Sequence, residues 1–322
     1  MNTKPKTITI VVPAYNEEEN IKKMYDELQS IFKTLQSEYF FETIFINDGS
    51  QDKTETLLNE LSEKDTAIKI INFSRNFGHQ IAISAGIDMA EGDAIVIMDC
   101  DLQDPPSVLK DMIRRWEEGF DVVYAVRRSR KDTFFKKKTA SLFYDLIHSI
   151  ADLNIPKDTG DFRLLDKKVV LELRKFREKS RFMRGLTCYV GFKQTGVEFD
   201  RQERYAGKTH YSLNKMLKLS IDAITAFSYF PLKVAAWLGW GAASLSFAGI
   251  LYALIRKMLY PQAVVSGWTA IIIAVFFLGG IQLIVMGMIG EYIGRIYTET
   301  KNRPLYIIKS TSNLGHPPTI NK

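Results

Sequence analysis

The feature that most constrains this chain is a short apolar run that ends abruptly in acids. Residues 94–98 are apolar and rich in branched side chains, and Asp99, Asp101 and Gln103 follow just before two prolines. The run is too short and too branched for a helix, so it predicts a buried strand that gives way to a loop. Two carboxylates and an amide form an all-oxygen set that suits Mg²⁺ or Mn²⁺, whereas the alternative is a pair of solvated acids in a turn.

Earlier strands are also predicted to end in polar side chains. Strands are expected at residues 7–12, 42–47 and 69–73, and helices at residues 54–64 and 80–90, with a first helix ending near Leu35. This alternation predicts a mainly parallel, three-layer α/β sheet. Such sheets bind ligands at the carboxyl ends of their strands, which favours the functional interpretation of Asp99 and Asp101. The other side chains expected at this edge are Tyr15, Glu17, Asp48, Arg75 and His79.

The segment after residue 107 carries further candidates. A helix is predicted at residues 108–118 and a strand at 121–126, and residues 157–165 are predicted as a loop before a helix, with Asp161 and Arg163 beside Gly160. We interpret His79 as a loop histidine satisfied by its surroundings, with a substrate contact as the alternative. Neither Gly-x-Gly-x-x-Gly nor Gly-x-x-x-x-Gly-Lys is present, so bound phosphates would require a metal and basic side chains.

The net charge limits the classes of binding partner, and the cysteine content indicates the redox compartment. A net charge of +6 and a pI near 9.0 fit nucleic acid, an anionic membrane surface or a phosphorylated substrate. No nucleic-acid motif is recognisable, so we expect no nucleic-acid partner. The two cysteines, Cys100 and Cys188, lack metal-ligand spacing and are expected to be small core residues in a reducing compartment.

Basic clusters lead into amphipathic segments. Basic residues crowd residues 127–138 and precede an apolar stripe at 139–153, which predicts a membrane-surface helix, with a helix packed on the domain as the alternative. A further amphipathic helix is expected at residues 212–230. A second basic cluster is predicted to be mostly a solvated, membrane-facing surface; it comprises Arg174, Lys175, Arg177, Lys179, Arg181 and Arg184.

Two uncharged stretches, residues 234–255 and 269–289, are each long enough to cross a hydrocarbon core of about 30 Å. They predict a transmembrane hairpin at residues 231–292 and a tail at 293–322. Basic residues concentrate outside the hairpin, so a plasma-membrane protein with its catalytic domain and both termini in the cytoplasm is expected. Small residues such as Gly287 and Gly290 favour a homo-oligomer.

Together these stretches resemble family 2 glycosyltransferases of the polyprenyl-phosphate type, which include bactoprenol glucosyltransferases and dolichol-phosphate mannose synthases. The resemblance covers nearly the whole chain, together with the two apolar stretches. The motifs that carry it are Val11-Val-Pro-Ala-Tyr-Asn-Glu-Glu18, Asn47-Asp-Gly-Ser50, Ser74-Arg-Asn-Phe-Gly-His-Gln80, Asp99-Cys-Asp-Leu-Gln-Asp-Pro-Pro106, Thr159-Gly-Asp-Phe-Arg-Leu164, Arg204-Tyr-Ala-Gly-Lys208 and Gly290-Glu-Tyr-Ile-Gly-Arg-Ile-Tyr297.

The resemblance implies a GT-A catalytic domain over residues 1–211. It implies an inverting, metal-dependent transfer of one sugar from a nucleotide sugar, expected to be UDP-linked, to undecaprenyl phosphate. The implied metal ligands are Asp99, Asp101 and Gln103, with Mg²⁺ or Mn²⁺ bound. The implied nucleotide-binding residues are Pro13, Ala14, Tyr15, Glu17, Asp48, Arg75 and Asp99. The implied catalytic residues are Asp101, Asp161, Arg163, Arg204 and Lys208.

Two other functions remain open at this point. A processive polysaccharide synthase is disfavoured because the Gln-x-x-Arg-Trp signature is missing. A membrane-anchored sugar-nucleotide binding protein without turnover is disfavoured by the intact Asp99 and Asp101. Because a lipid phosphate is largely anionic at neutral pH, we expect Asp161 to orient a reacting group rather than to act as a base.

Overall fold

The computed structural model describes residues 5–128, 156, 159–179, 181–201, 230–259 and 267–314. The strands are β1 (Lys6–Ala14), β2 (Tyr39–Asn47), β3 (Ile68–Phe73), β4 (Ala94–Ile97), β5 (Val122–Arg127), β6 (Thr159–Asp166), β7 (Gln194–Phe199) and β8 (Ile308–Ser312). The helices are α1 (Ile21–Leu35), α2 (Thr54–Lys64), α3 (His79–Met89), α4 (Leu109–Glu117), α5 (Lys167–Leu173), α6 (Met183–Tyr189), α7 (Phe230–Leu259) and α8 (Trp268–Thr300). These strands form one sheet in the order β7-β5-β6-β4-β1-β2-β3-β8.

The predicted mainly parallel α/β sheet is confirmed. Strand β1 pairs in parallel with β2 and β4, and β2 pairs in parallel with β3. The central strands are fully buried, as at Ile10, Ile44 and Val96, because helices cover both faces of the sheet. The ends of the first four strands therefore meet at one edge, as the alternation of strands and helices predicts.

Residues 157–165 are not a loop before a helix, so that prediction was wrong. Residues 159–166 form β6, which runs antiparallel between β4 and β5. Asp161 and Arg163 are 6% and 3% exposed, so polar residues that are typical of a loop are buried in a central strand. Such burial is tolerated only when each polar group finds a partner inside the protein, which sequence alone does not reveal.

Helix α3 packs unusually close to the sheet. A Cβ atom at Gly86 would approach Val11 Cγ1 to 2.2 Å and Ile46 Cδ1 to 2.9 Å, so only glycine allows this approach. Every residue from Ala82 to Met89 is buried. Helix α3 therefore packs against β1 and β2 on one side, and Arg174 contacts it from a later segment of the chain.

The chain returns to the sheet after its last helix. Helix α8 continues to Thr300, and β8 pairs antiparallel with β3 at the edge of the sheet. Residues 1–212 and 304–322 form one compact unit, and residues 213–303 form a second. The part of the predicted 293–322 tail that the structure describes is thus divided between the end of a helix and an added strand.

Within the described residues, two helices are long and apolar enough to cross a membrane. The candidate spans are Leu232–Arg256 and Ala274–Thr300. Large apolar side chains along both helices are exposed, including Trp240, Phe276 and Leu283. The two predicted apolar stretches thus lie in α7 and α8, each of which extends several residues beyond the prediction.

Part of the second basic cluster is buried rather than membrane-facing. Arg181 is only 7% exposed, and Arg174 donates from Nε to the carbonyl oxygen of Ile87 at 2.9 Å. Charge alone predicts a solvated surface, but Arg174 folds back onto α3 and Arg181 donates to the carbonyl oxygen of Leu173 in α5. The predicted helices at 139–153 and 212–230, together with Arg204 and Lys208, lie outside the described residues, apart from Phe230 at the start of α7.

Candidate active site

The β3–α3 loop is anchored on the end of β2. Asp48 is 3% exposed, and its carboxylate accepts hydrogen bonds from the backbone N–H groups of Phe77 at 2.7 Å and Gly78 at 3.0 Å. Burial raises the pKa of Asp48, while these two bonds act in the opposite direction. Asp48 therefore shapes the loop that leads to His79. Gly49 has φ +67° and lies against the backbone of Arg75, so a side chain would not fit there.

The β1 end contributes Pro13, Ala14, Tyr15 and Glu17 to the same edge. Pro13 and Ala14 are buried, whereas Tyr15 is 42% exposed. The backbone N–H of Glu17 donates to Thr54 Oγ1 at 2.9 Å, which links this loop to the start of α2. The predicted nucleotide-binding residues of the first two strands thus lie on adjacent loops that are cross-linked by hydrogen bonds.

The acid-rich loop follows β4 as predicted. Asp101 Oδ1 accepts a hydrogen bond from the backbone N–H of Gln103 at 3.1 Å. Leu102 lies between them with φ +57°, a conformation that is costly for a residue with a side chain. Oδ1 of Asp99 is buried and has no hydrogen-bond partner. Cys100 is 3% exposed, in line with its predicted role as a core residue.

Asp161 lies beside Asp99 and is held by three side chains. In the antiparallel pair of β4 and β6, Ile97 lies opposite Arg163, which brings Asp99 and Asp161 to the same edge. Gln80 Nε2 donates to Asp161 Oδ2 at 2.9 Å, and Arg184 Nε donates to Oδ1 at 2.9 Å. We refer to His79, Gln80 and Arg184 as the Asp161 clamp.

His79 bridges the two acids. Its Nε2 atom lies 3.4 Å from Asp99 Oδ1 and 3.4 Å from Asp161 Oδ2. Burial lowers the pKa of His79, but the negative charges of Asp99 and Asp161 outweigh that effect and raise it to about 9. His79 is therefore a cation at neutral pH. The interpretation of a satisfied loop histidine was incomplete, because its partners are the two acids of the candidate site.

The two acids differ in their proton affinity. Burial raises the pKa of Asp99 to about 6, with His79 opposing the shift and neighbouring carboxylates adding to it. Although burial also acts on Asp161, the Arg184 guanidinium and His79 hold the pKa of that carboxyl well below its usual range. Among the described residues, Asp161 thus has two cationic partners, Arg184 and His79, whereas Asp99 has only the shared His79 and a raised pKa.

Arg163 supports this arrangement from inside the sheet. Its guanidinium donates to the carbonyl oxygens of Gly160 at 2.9 Å and Asp161 at 3.3 Å, and to the hydroxyl of Thr187. Burial lowers its pKa to about 10, which leaves it charged at neutral pH. Because it is 3% exposed and its donors are engaged, Arg163 braces the strand that presents Asp161.

Two further arginines lie beside the acid-rich loop. Arg127 Nη2 is 3.5 Å from Asp104 Oδ2, and Arg201 donates to the side-chain oxygen of Gln103. Arg127 Nε is buried without a hydrogen-bond partner. A Cβ at residue 160 would lie 2.9 Å from Arg127 Nη2, so Gly160 provides the space that this guanidinium occupies. The site therefore has cations on the side of the loop that faces β5 and β7.

The donor set fits a hard divalent cation that is shared with a phosphate ligand. Among the described residues, no group of three or more His, Cys, Asp or Glu side chains could hold a metal ion. Mg²⁺ and Mn²⁺ are commonly held by one or two carboxylates plus substrate phosphates, so Asp99 and Asp101 suffice as protein ligands. Asp99 Oδ1, which accepts no hydrogen bond, matches that requirement, whereas the Gln103 oxygen is engaged by Arg201.

Sequence reasoning did not assign several residues of this site. His79 was visible as the polar end of β3, but its contacts depend on β6. Gln80 stood only at the end of a family motif, Arg127 and Arg184 stood only in basic clusters, and Arg201 was not singled out. Their contacts could not be predicted because the partners are distant in sequence, as in the separation of 81 residues between Gln80 and Asp161.

The chain belongs to glycosyltransferase family 2: the family described as "Glycosyl transferase family 2" matches residues 9–174. It is a glycosyltransferase, and the predicted resemblance to the polyprenyl-phosphate group is confirmed. It is 51% identical to an uncharacterised glycosyltransferase of Bacillus subtilis over 94% of this chain and 93% of that protein. It is 42% identical to the bactoprenol glucosyl transferase of Shigella phage SfII, over 96% of this chain and 99% of that protein.

The chain also resembles solved structures at low sequence identity. A mannosyl-3-phosphoglycerate synthase from Rubrobacter xylanophilus is similar at a TM-score of 0.48 with 15% identity, over 69% of this chain and 72% of that one.

Proposed function

We propose that this glycosyltransferase moves one sugar from a UDP-linked donor to the phosphate of a polyprenyl phosphate, with inversion at the sugar and with Mg²⁺ or Mn²⁺ bound. The observation that carries the proposal is the contrast at the sheet edge between Asp99, whose buried Oδ1 atom accepts no hydrogen bond and has His79 as an ion-pair partner, and Asp161, which is held by Arg184, Gln80 and His79. The similarity to a bactoprenol glucosyl transferase over nearly the whole chain supports the lipid acceptor.

The reaction requires little proton transfer. A phosphate oxygen of the acceptor attacks the anomeric carbon, the bond from that carbon to the donor diphosphate breaks, and its electron pair leaves on the diphosphate. The acceptor is already largely anionic, since the second pKa of a phosphate monoester is about 6. Asp161 is engaged by Gln80 and Arg184, so it is placed to orient a reacting group rather than to remove a proton.

Asp99 and Asp101 are the proposed metal ligands. A divalent ion there would neutralise charge that develops on the leaving diphosphate. The loop with Tyr15 and Glu17 and the loop after β2 are proposed to hold the nucleotide. Arg127 and Arg201 supply positive charge beside the same loop and are proposed to attract phosphate. Arg204 and Lys208 remain proposed contacts on the basis of the family resemblance.

The return of the chain to its sheet supports the proposed membrane topology. Residues before and after the hairpin belong to one compact unit, because β8 pairs with β3. A folded unit lies on one side of a membrane, so the chain must cross an even number of times. Two crossings by α7 and α8 satisfy this condition, and we propose that both ends lie in the cytoplasm, where nucleotide sugars are present.

The proposal is tested with purified full-length protein in lipid nanodiscs. Undecaprenyl phosphate, Mg²⁺ or Mn²⁺ and a panel of UDP-sugars are supplied, and the glycolipid is identified by mass spectrometry. We expect one donor to give a product with a single sugar and with an anomeric configuration opposite to that of the donor. Products with several sugars would support a processive synthase, and the absence of any product would refute the proposed reaction.

A matched pair of variants tests the site. Asp99→Ala removes the acid whose Oδ1 atom accepts no hydrogen bond, whereas Asp111→Ala removes an acid on α4 whose side chain is 58% exposed. We expect the first variant to lose transfer and the second to retain it, with both melting near the wild-type temperature. Equal activity in the two variants would exclude Asp99 from the reaction.

The topology is tested by labelling in intact cells. Ser266→Cys and Lys322→Cys are made in a background that lacks Cys100 and Cys188, and a membrane-impermeant maleimide is added. We expect position 266 to react from outside and position 322 only after permeabilisation. Reaction of position 322 in intact cells would contradict the proposed orientation.

A further inference from the structure

Three chain segments meet at one buried acid. Asp88 in α3 is 3% exposed, and its Oδ2 atom accepts hydrogen bonds from Arg177 Nη1 at 2.9 Å and from the hydroxyl of Tyr306 at 2.9 Å. Arg181 is buried nearby, with Nε and Nη1 lacking hydrogen-bond partners. We refer to Asp88, Arg174, Arg177, Arg181 and Tyr306 as the Asp88 cluster. It lies at the opposite end of α3 from His79.

The elements joined by the Asp88 cluster are those that deliver the Asp161 clamp. Helix α3 begins with His79 and Gln80 and carries Asp88 in its last turn. The segment that contains Arg177 and Arg181 leads directly into α6, which carries Arg184. Gln80 joins the two elements a second time, because its Oε1 atom accepts a hydrogen bond from the backbone N–H of residue 183 at 2.9 Å.

Tyr306 belongs to the segment that returns to the sheet after α8, residues 304–314, which we call the C-terminal strap. Its ring stacks on Phe73 at a centroid distance of 5.2 Å, and Phe73 packs edge-on against Phe77 at 5.5 Å. The backbone N–H of Ser74 donates to the carbonyl oxygen of Ile307 at 3.0 Å. The strap thus holds both the start of the β3–α3 loop and the far end of α3.

We infer that Tyr306 is a positioning residue for sugar transfer. It acts through Phe73 and Asp88 on the loop and helix that place His79 and Gln80 against Asp161. This inference rests on the proposed function, since the consequence is a change in transfer. Loss of the Tyr306 hydroxyl alone acts through Asp88 on α3, while the ring stays on Phe73 beside the loop that carries Arg75, so the turnover rate should change while the KM of the donor does not.

The test compares Tyr306→Phe with Lys309→Met in the full-length protein. The first removes one hydroxyl and retains the ring on Phe73, whereas the second removes an exposed strap contact, the ion pair of Lys309 with Glu55 at 2.8 Å. We expect Tyr306→Phe to lower kcat about 10-fold at unchanged donor KM, because small misplacements at a reacting centre slow catalysis strongly. Lys309→Met should leave both constants unchanged. An unchanged kcat in Tyr306→Phe, or equal losses in both variants, would overturn the inference.

The path through Asp88 is tested by a double variant. If Tyr306 acts through Asp88, then Tyr306→Phe should cost little further activity in an Asp88→Asn background. Full additivity of the two losses would contradict this path.

A second readout needs no turnover. Hydrogen exchange of residues 74–80 and 183–189 should accelerate in Tyr306→Phe and remain unchanged in Lys309→Met. If the wild-type protein transferred no sugar, the proposed function would fail. The exchange measurement would still show whether Tyr306 stabilises the segments that carry the Asp161 clamp. Unchanged exchange in Tyr306→Phe would refute that link.

Discussion

The ends of β4 and β6 present two neighbouring acids in opposite electrostatic states. Asp99 has a buried oxygen with no hydrogen-bond partner and a pKa raised by burial to about 6. Asp161 has both oxygens engaged and a pKa held well below its usual range by Arg184 and His79. The same type of side chain is therefore prepared for two tasks, because in the described part of the chain Asp161 has Arg184 as well as His79 beside it, whereas Asp99 has His79 alone.

The largest expected effect comes from making the same substitution at both acids. Asp99→Asn should abolish Mn²⁺ binding in the presence of UDP and lower transfer by about 10³-fold, because the charge that would hold a metal is lost. Asp161→Asn should still bind Mn²⁺. Binding is measured by the loss of the free-ion signal in electron paramagnetic resonance. Equal loss of Mn²⁺ binding in the two variants would remove the contrast between the acids.

The next effect concerns the role of Asp161 itself. Asp161→Asn should lower kcat by about 10²-fold, because an orienting charge is lost. The loss should persist as the pH is raised, since an orienting group does not supply a proton-accepting site. The rate is measured from pH 6 to 9 under donor saturation. Recovery of the rate at high pH would instead support a general base.

A smaller effect is expected from loosening the clamp. Arg184→Gln removes one cation from Asp161 and should lower kcat by about 10-fold, since the carboxylate keeps Gln80 and His79. Arg114→Gln is the matched control, because that arginine is 66% exposed on α4. A rate loss in the control of similar size would show that the effect is not specific to the clamp.

The smallest effect is on the free energy of unfolding and its dependence on pH. Because the folded-state pKa of Asp161 is depressed, its stabilising contribution is complete above the unfolded pKa of about 4 and is lost as the pH falls through the folded value. Asp161→Asn should therefore cost about 1 kcal/mol at pH 7, and the difference from wild type should shrink below about pH 4. Urea unfolding at several pH values measures it. A difference that grows with acidity would reverse the assigned sign.

The two acids also differ in how far the amino-acid sequence predicts their surroundings. Asp48, Asp99 and Asp101 follow apolar runs that alternate with helices, and parallel strands bring such ends together whatever else the chain does. Asp161 was named as a candidate, but its strand was missed because glycine and charged residues there are typical of loops. Its burial depends on Arg163, Gln80 and Arg184, which lie in three different elements.

The amino-acid sequence by itself determined the α/β class, the edge of the sheet that carries the site, the family and the two apolar spans, since these depend on local periodicity, short motifs and length. Only the tertiary structure decided that β6 is a strand, that His79 bridges Asp99 and Asp161, and that Tyr306 reaches Asp88. The last contact joins residues 218 positions apart. The physical reason is that a buried charge is stable only beside its partner, and that partner is supplied by packing rather than by neighbours in the chain.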